Sequence, residues 1–130
     1  MALDVFGDTT FAVLGKALDA YSLRHRVSSN NIANAATPGF KRSYVPFEEE
    51  LGEAMRDGSG AREGLLKDLD ELDLRAKVDH LTESREDGNN VDMEQEIAEM
   101  AKNNLRYAGA GSIVKKKVEM YRYVISEGRR

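Results

Sequence analysis

His25 and His80 are the only histidines in the chain, and there is no cysteine. Imidazole is the side chain best suited to proton transfer or metal ligation near neutral pH, so any such chemistry would start at these two positions. Neither has a second histidine or a carboxylate at metal-ligand spacing. His25 falls on a helical seam, where a packed or hydrogen-bonded histidine fits better than a ligand. Without a thiol there is no disulfide, no thiolate metal site and no cysteine nucleophile. The run Asp87-Gly88-Asn89-Asn90-Val91-Asp92 superficially matches a calcium loop. Val91 holds a ligand position, however, and the glycine is in the wrong place for the turn. Glu94 and Glu96 point to different faces of a helix and do not frame a substrate. Gly109 and Gly111 lie inside a helix rather than at a strand-to-helix turn, which removes a phosphate cradle. No Ser-His-Asp or Cys-His set and no nucleotide motif is present. The expectation is a protein that is not an enzyme and carries no cofactor or metal.

Two long helical patterns dominate what remains. Leu14, Leu18, Tyr21, His25, Ser28 and Ile32 alternate by four and three residues, a heptad seam with a polar interruption. The C-terminal third repeats the device through Met93, Ile97, Met100, Asn104, Tyr107, Gly111, Val114, Val118, Tyr121 and Ile125. Asp92 is placed to cap this second helix, with Gln95 at the capping-box position. Asp92, Glu94, Glu96 and Glu99 sit near its positive end, while Lys115, Lys116, Lys117, Arg122, Arg129 and Arg130 crowd its negative end. From Asp92 to Ser126 such a helix is about 50 Å long. A compact globule of this chain length has a radius of gyration of only about 14 Å. The helix therefore pairs with the first one as an extended hairpin, or packs against copies and partners. Asn104, Gly111 and Ser28 weaken the seam for a lone two-helix coil and suit a crowded assembly. Ala108-Gly109-Ala110-Gly111-Ser112 points the same way, since small residues let backbones approach at about 1 kcal/mol per glycine in helix propensity.

The chain has 130 residues, one domain by length, with 32% charged and 41% hydrophobic residues and a net charge of −4. That balance is wrong for a general nucleic-acid binder. No run of about 18 apolar residues suggests a membrane span. Met1 to Lys16 carries Asp4 and Asp8 and lacks the basic start of a secretory signal. A cytoplasmic location is expected unless export needs no cleaved signal. Carboxylates dominate Glu48 to Asp73, whereas Lys and Arg dominate Lys102 to Arg130. Such a division describes solvated helix faces or complementary surfaces between subunits. An assembly unchanged between low and high salt would count against the second.

Between the two patterns, Phe47 to Asp57 reads as a short helix, and Asp57-Gly58-Ser59-Gly60 as a breaker. Leu65, Leu66, Leu69 and Leu72 follow helical spacing. Leu72, Leu74, Ala76 and Val78 alternate, and a strand is expected over 72–78. Asp87-Gly88-Asn89-Asn90 reads as the turn before the final helix. The expected fold is mainly α: residues 1–40 a helix with a motif turn, 41–90 a short irregular and β middle segment, and 91–130 the second long helix.

The most specific string is Asn31-Ile32-Ala33-Asn34-Ala35-Ala36-Thr37-Pro38-Gly39-Phe40. Pro38 keeps Thr37 out of the helical region, so the first helix must stop before it. Pro38-Gly39 suits the centre of a type II turn, whose second residue needs positive φ. Asn31 and Asn34 are placed to bond carbonyls left unpaired at the helix end.

As a whole, that string resembles the N-terminal signature of the bacterial flagellar axial proteins, Asn-x-Ala-Asn-x-x-Thr-Pro-Gly-aromatic. Asn31, Ile32, Ala33, Asn34, Thr37, Pro38, Gly39 and Phe40 carry the match, and Lys41, Phe47 and His80-Leu81 extend it. Gly88 to Glu96 is similar to the string that opens the family's C-terminal helix, and Asn103-Asn104-Leu105-Arg106-Tyr107 to the one that follows. The latter differs from the Ser-Arg-x-Tyr of FlgC. The resemblance implies a structural subunit of the proximal rod. Its two terminal helices would pack as an extended, coiled-coil-like tube domain, required with the rest of the rod for motility. Implied partners are copies of itself, rod proteins of the FlgC, FlgF and FlgG type, the adaptor FliE and the membrane ring protein FliF. Delivery through the flagellar type III export apparatus, without a cleaved signal peptide, would place it in the periplasmic rod. On this reading the heptad seams form the assembly interface. The alternative is a soluble coiled-coil adaptor that binds one partner through its C-terminal helix.

Overall fold

The computed structural model of the chain describes residues 9–57 and 62–127. The breaker at 58–60, the first eight residues, and Arg129 and Arg130 lie outside the described residues. Six elements follow one another: α1 (Thr9–Ala33), β1 (Ser43–Tyr44), α2 (Phe47–Asp57), α3 (Arg62–Glu71), β2 (Lys77–Val78) and α4 (Met93–Glu127).

The helices of 25 and 35 residues, α1 and α4, pack along each other as an antiparallel hairpin. Phe11, early in α1, stacks on Tyr121, late in α4, with ring centroids 5.7 Å apart. Midway along the pair, Asn103 Nδ2 donates to the Tyr21 carbonyl at 2.8 Å. At about 1.5 Å per residue the described part of α1 is roughly 37 Å long and α4 roughly 52 Å. Asp92 caps α4 as the sequence predicts, accepting from the Gln95 N–H at 3.1 Å.

The residues of α4 buried in this hairpin are Glu96, Asn103 and Ala110, spaced by seven. They form a polar and small stripe, one position away from Ile97, Asn104 and Gly111 of the expected seam. Met100, Val114 and Tyr121 of that seam are half-buried, but Met93, Ile97, Asn104, Tyr107, Val118 and Ile125 are exposed. The chain thus uses its polar stripe inward and leaves much of its apolar one uncovered. Gly109 and Gly111 follow the same logic. A Cβ built on either meets nothing within 4 Å, so no backbone of this chain exploits the small side chains.

The apolar core joins α1 to the segment around β1 and α2. Ala17, Ala20, Val45 and Phe47 form it, with Tyr21, Leu23, Val27, Leu51, Leu72 and Leu74 packed around. Tyr21 and Phe47 meet edge to face, with ring centroids 6.1 Å apart. The helix expected over Phe47–Asp57 is present with those bounds. The strand expected over 72–78 is not. Only Lys77 and Val78 pair, antiparallel to Tyr44 and Ser43. Leu72 and Leu74 enter the core from irregular backbone, which explains the alternation without a ladder.

Candidate functional site

At the end of the hairpin where α1 stops and α4 starts, the two most distinctive strings of the sequence fold into one buried polar clasp. Asn31 is buried, and its amide makes two bonds to one residue across the gap. Nδ2 donates to the Ser43 carbonyl at 2.8 Å, and Oδ1 accepts the Ser43 N–H at 2.9 Å. A side-chain amide here does what a neighbouring strand would do for the edge of β1. The expectation that Asn31 bonds the helix end is therefore corrected, because its rotamer points at β1 instead. Asn34 does act at the helix end, donating from Nδ2 to the Asn30 carbonyl at 2.9 Å.

Beyond α1 the chain turns through Thr37-Pro38-Gly39-Phe40, with the Phe40 N–H on the Thr37 carbonyl at 3.3 Å. Gly39 has φ +74, as a type II turn requires at that position. The turn is tied to the segment before α4, where the Gly39 N–H donates to the Asp87 carbonyl at 2.8 Å.

Asn89 is the centre of the clasp and is 0% exposed. Its Nδ2 lies 3.0, 3.3 and 2.8 Å from the carbonyls of Asn34, Ala35 and Thr37. Its Oδ1 accepts the Val91 N–H at 2.7 Å. One amide thereby holds the unwinding end of α1 against the start of α4. Asn90 repeats the device on the other side: Oδ1 accepts the Arg42 N–H at 2.7 Å, and Nδ2 donates to the Asp79 carbonyl at 2.8 Å. Lys41 closes the top, with Nζ donating to the Gly88 carbonyl at 2.7 Å and to the Ser84 hydroxyl.

Charge is handled within the same cluster. Arg42 donates to Glu96 Oε1 at 2.9 Å and to Asp79 Oδ2 at 3.2 Å, so the buried Glu96 is not left unpaired. Asp79 also accepts the Thr82 hydroxyl at 2.6 Å and the N–H groups of Thr82 and Leu81 at 3.0 and 2.9 Å. Those donors, the Thr82 hydroxyl foremost, hold the Asp79 carboxyl well below the usual carboxylate range. The folded value lies under the unfolded one, so this stabilisation is complete above about pH 4 and is lost as pH falls below it. In thermal melts Asp79→Asn is expected to be less stable than the parent at pH 6, and the gap should narrow toward pH 3. A gap that stays constant would show that the carboxylate is not the source.

Lower down the hairpin a cleft of about 310 Å³ is lined by Arg24, Arg42 and Arg106 and by Glu48, Glu96 and Glu99. Arg24 donates to Glu48 at 2.7 Å and to the Val45 carbonyl at 3.0 Å, and Arg106 lies 3.7 Å from Glu48. The Arg24 guanidinium lowers the Glu48 carboxyl from its ordinary value. Part of the acidic stretch is thus matched by basic residues of the same chain. Among the described residues no group of three His, Cys, Asp or Glu is placed to hold a metal ion.

Of the expected interface residues, Leu14, Leu18, Tyr21 and Ile32 on α1 are half-buried against the rest of the chain. The large uncovered side chains are on α4: Met93, Ile97, Leu105, Tyr107, Ile113, Val118, Met120, Tyr123, Val124 and Ile125. Leu105, Ile113 and Met120 repeat at seven to eight residues and fall on the opposite face of α4 from the expected seam. The sequence carries no signal for Arg42 and Asp79, and it marks Asn89, Asn90 and Asn103 only as members of motif strings; the bonds that all five make depend on partners that only the fold supplies.

The family model described as flagella basal body rod protein matches residues 11–41, which span α1, the turn and Asn31 to Phe40. The flagellar basal body rod protein FlgB of Borrelia hermsii is 37% identical over 103 residues, covering 70% of this chain and 76% of that protein. FlgB of Proteus mirabilis is 30% identical over 134 residues, covering 93% and 96%. FlgB of Bacillus subtilis is 27% identical over 127 residues, covering 92% and 95%.

Proposed function

The chain belongs to the FlgB family of flagellar basal body rod proteins, and on that premise we propose that it is a structural subunit of the rod, working by packing and not by catalysis. The observation that carries this reading is the set of large apolar side chains exposed along α4, from Met93 to Ile125, on a helix longer than the described part of α1. So many large apolar side chains exposed along one helix mark a surface that neighbours cover. A tube of close-packed subunits covers it. The clasp sets the angle between α1 and α4, so it fixes how that surface is offered to neighbours. The small side chains of Gly109 and Gly111 leave room for a neighbouring helix to approach it closely.

The neighbours in this reading are copies of the chain and rod proteins of the FlgC, FlgF and FlgG type. FliE and the ring protein FliF lie at the base. The subunit reaches the rod through the flagellar type III export apparatus without a cleaved signal peptide. The resemblance of both terminal strings to axial proteins supports these partners, and the absence of a helix apolar enough to cross a membrane, among the described residues, is compatible with them. Deletion of the gene is expected to abolish swimming, and a plasmid copy to restore it. A deletion strain that swims normally would refute the assignment.

A further inference from the structure

On α4 the seam read from the sequence and the stripe that faces α1 are neighbouring lines, and only one of them is used within the chain. Glu96, Asn103 and Ala110 turn to α1, while Met93, Ile97, Tyr107, Val118 and Ile125 of the seam stay exposed. Along the seam, on its side away from α1, runs a column of exposed residues: Glu94, Ala101, Ala108, Lys115 and Arg122. It opens on a carboxylate and closes on a guanidinium. Neither Glu94 nor Arg122 has an ion-pair partner among the described residues.

This surface complements a copy of itself in one orientation. Two α4 helices laid antiparallel about a two-fold axis at the middle of the seam bring Met93 to Ile125, Ile97 to Tyr121, Met100 to Val118 and Tyr107 to Gly111. Gly111 has open space where a Cβ would stand, so the Tyr107 ring of the second copy has room to enter. Antiparallel packing also sets the two flanking columns side by side. Glu94 then meets Arg122, and the axis makes that ion pair twice. Lys115, which pairs with Glu119 at 4.0 Å in its own helix, meets only Ala101. A parallel pair in register would instead set Gly111 against Gly111 and Tyr107 against Tyr107, a hole beside a crowded layer, and would leave Glu94 and Arg122 apart.

We propose that the free subunit pairs with a second copy of itself through this seam, antiparallel and two-fold symmetric. Asn104 faces Val114 in the one polar layer, which fixes the register at a cost in stability and keeps the pair exchangeable. An isologous contact closes on itself and recruits no third copy. The pair therefore covers the apolar seam until subunits separate to enter the rod. The pairing stands without the rod, whereas its use in delaying polymerisation rests on the rod reading.

Sedimentation equilibrium of the purified full-length chain tests the pairing. Up to about 1 mM protein, the parent is expected to show a reversible monomer–dimer equilibrium. Glu94→Arg sets like charges together twice per pair and is expected to weaken it about tenfold. Arg122→Glu is expected to do the same, and the two combined to restore the parent's affinity. Gly111→Leu fills the space for Tyr107 and is expected to abolish the dimer with helicity unchanged, since no atom of its own chain lies against it. A parent that stays monomeric, or a dimer that the charge reversals do not weaken and restore in this way, would overturn the pairing and leave rod membership standing. Intact rods in cells lacking the gene would sink the rod reading and leave a dimer measured in solution in place.

Discussion

Asn89→Ala is expected to destabilise the isolated chain by about 3 kcal/mol, or roughly 10 °C in Tm for a chain of this size. Four bonds are lost together. The carbonyls of Asn34, Ala35 and Thr37 each lose the same amide donor, and the Val91 N–H loses its acceptor. The site is closed to water, so nothing replaces them. The carbonyls keep partial compensation: Asn34 also accepts the Thr37 N–H, Thr37 the Phe40 N–H, and Ala35 the Arg85 guanidinium. The Val91 N–H is the group left stranded, at about 1–3 kcal/mol on its own. Asn89→Asp is expected to be at least as harmful, because it sets a carboxylate against three carbonyl oxygens. Asn104→Ala, at an exposed asparagine of α4, should shift stability by no more than about 0.5 kcal/mol. Denaturant melts followed by circular dichroism separate these cases. Equal effects at Asn89 and Asn104 would show that the clasp does not hold the hairpin.

Replacing Ile97, Leu105 and Val124 together with Asp is expected to abolish rod assembly while leaving the subunit folded. These side chains are 55%, 75% and 55% exposed. Their loss costs the free chain little, about 1 kcal/mol in total from helix propensity. In an assembly that covers them the sum is different. Each forfeits about 1.5–3 kcal/mol of apolar burial, and each brings a carboxylate that must be desolvated or exclude its neighbour. Three together exceed what a single subunit contact can absorb. Met100, also on the expected seam, makes a poorer probe because it is half-buried within the chain, and a charge there disturbs the hairpin as well. The readouts are helicity of the purified variant and swimming of cells that carry it. A variant that is folded and swims like the parent would exclude these exposed positions of α4 as assembly contacts.

The long elements were legible from the sequence because their signals are local. Asp92 caps α4, Pro38 and Gly39 stop the chain after α1, and the helix at Phe47–Asp57 has the bounds its composition suggests. The register of α4 was harder to read. Heptad counting selects the apolar residues, yet the face turned to α1 is Glu96, Asn103 and Ala110. A polar inner stripe is invisible to a rule that equates burial with hydrophobicity. It is stable here because Arg42 pairs with Glu96 and Asn103 reaches the Tyr21 carbonyl. Asn31 and Asn89 were recognised as members of conspicuous strings, but their roles depend on each string meeting a distant one. Such contacts, across 12 residues for Asn31 and more than 50 for Asn89, leave no periodicity to detect. The strand expected over 72–78 failed for a related reason: alternation reports which side chains enter a core, not whether the backbone finds a partner.

Electron microscopy of basal bodies from cells lacking the gene tests the rod assignment most directly. The account predicts membrane rings without rod, hook or filament. Intact rods and hooks in those cells would contradict it, and would leave the uncovered face of α4 as the docking surface of an adaptor outside the rod.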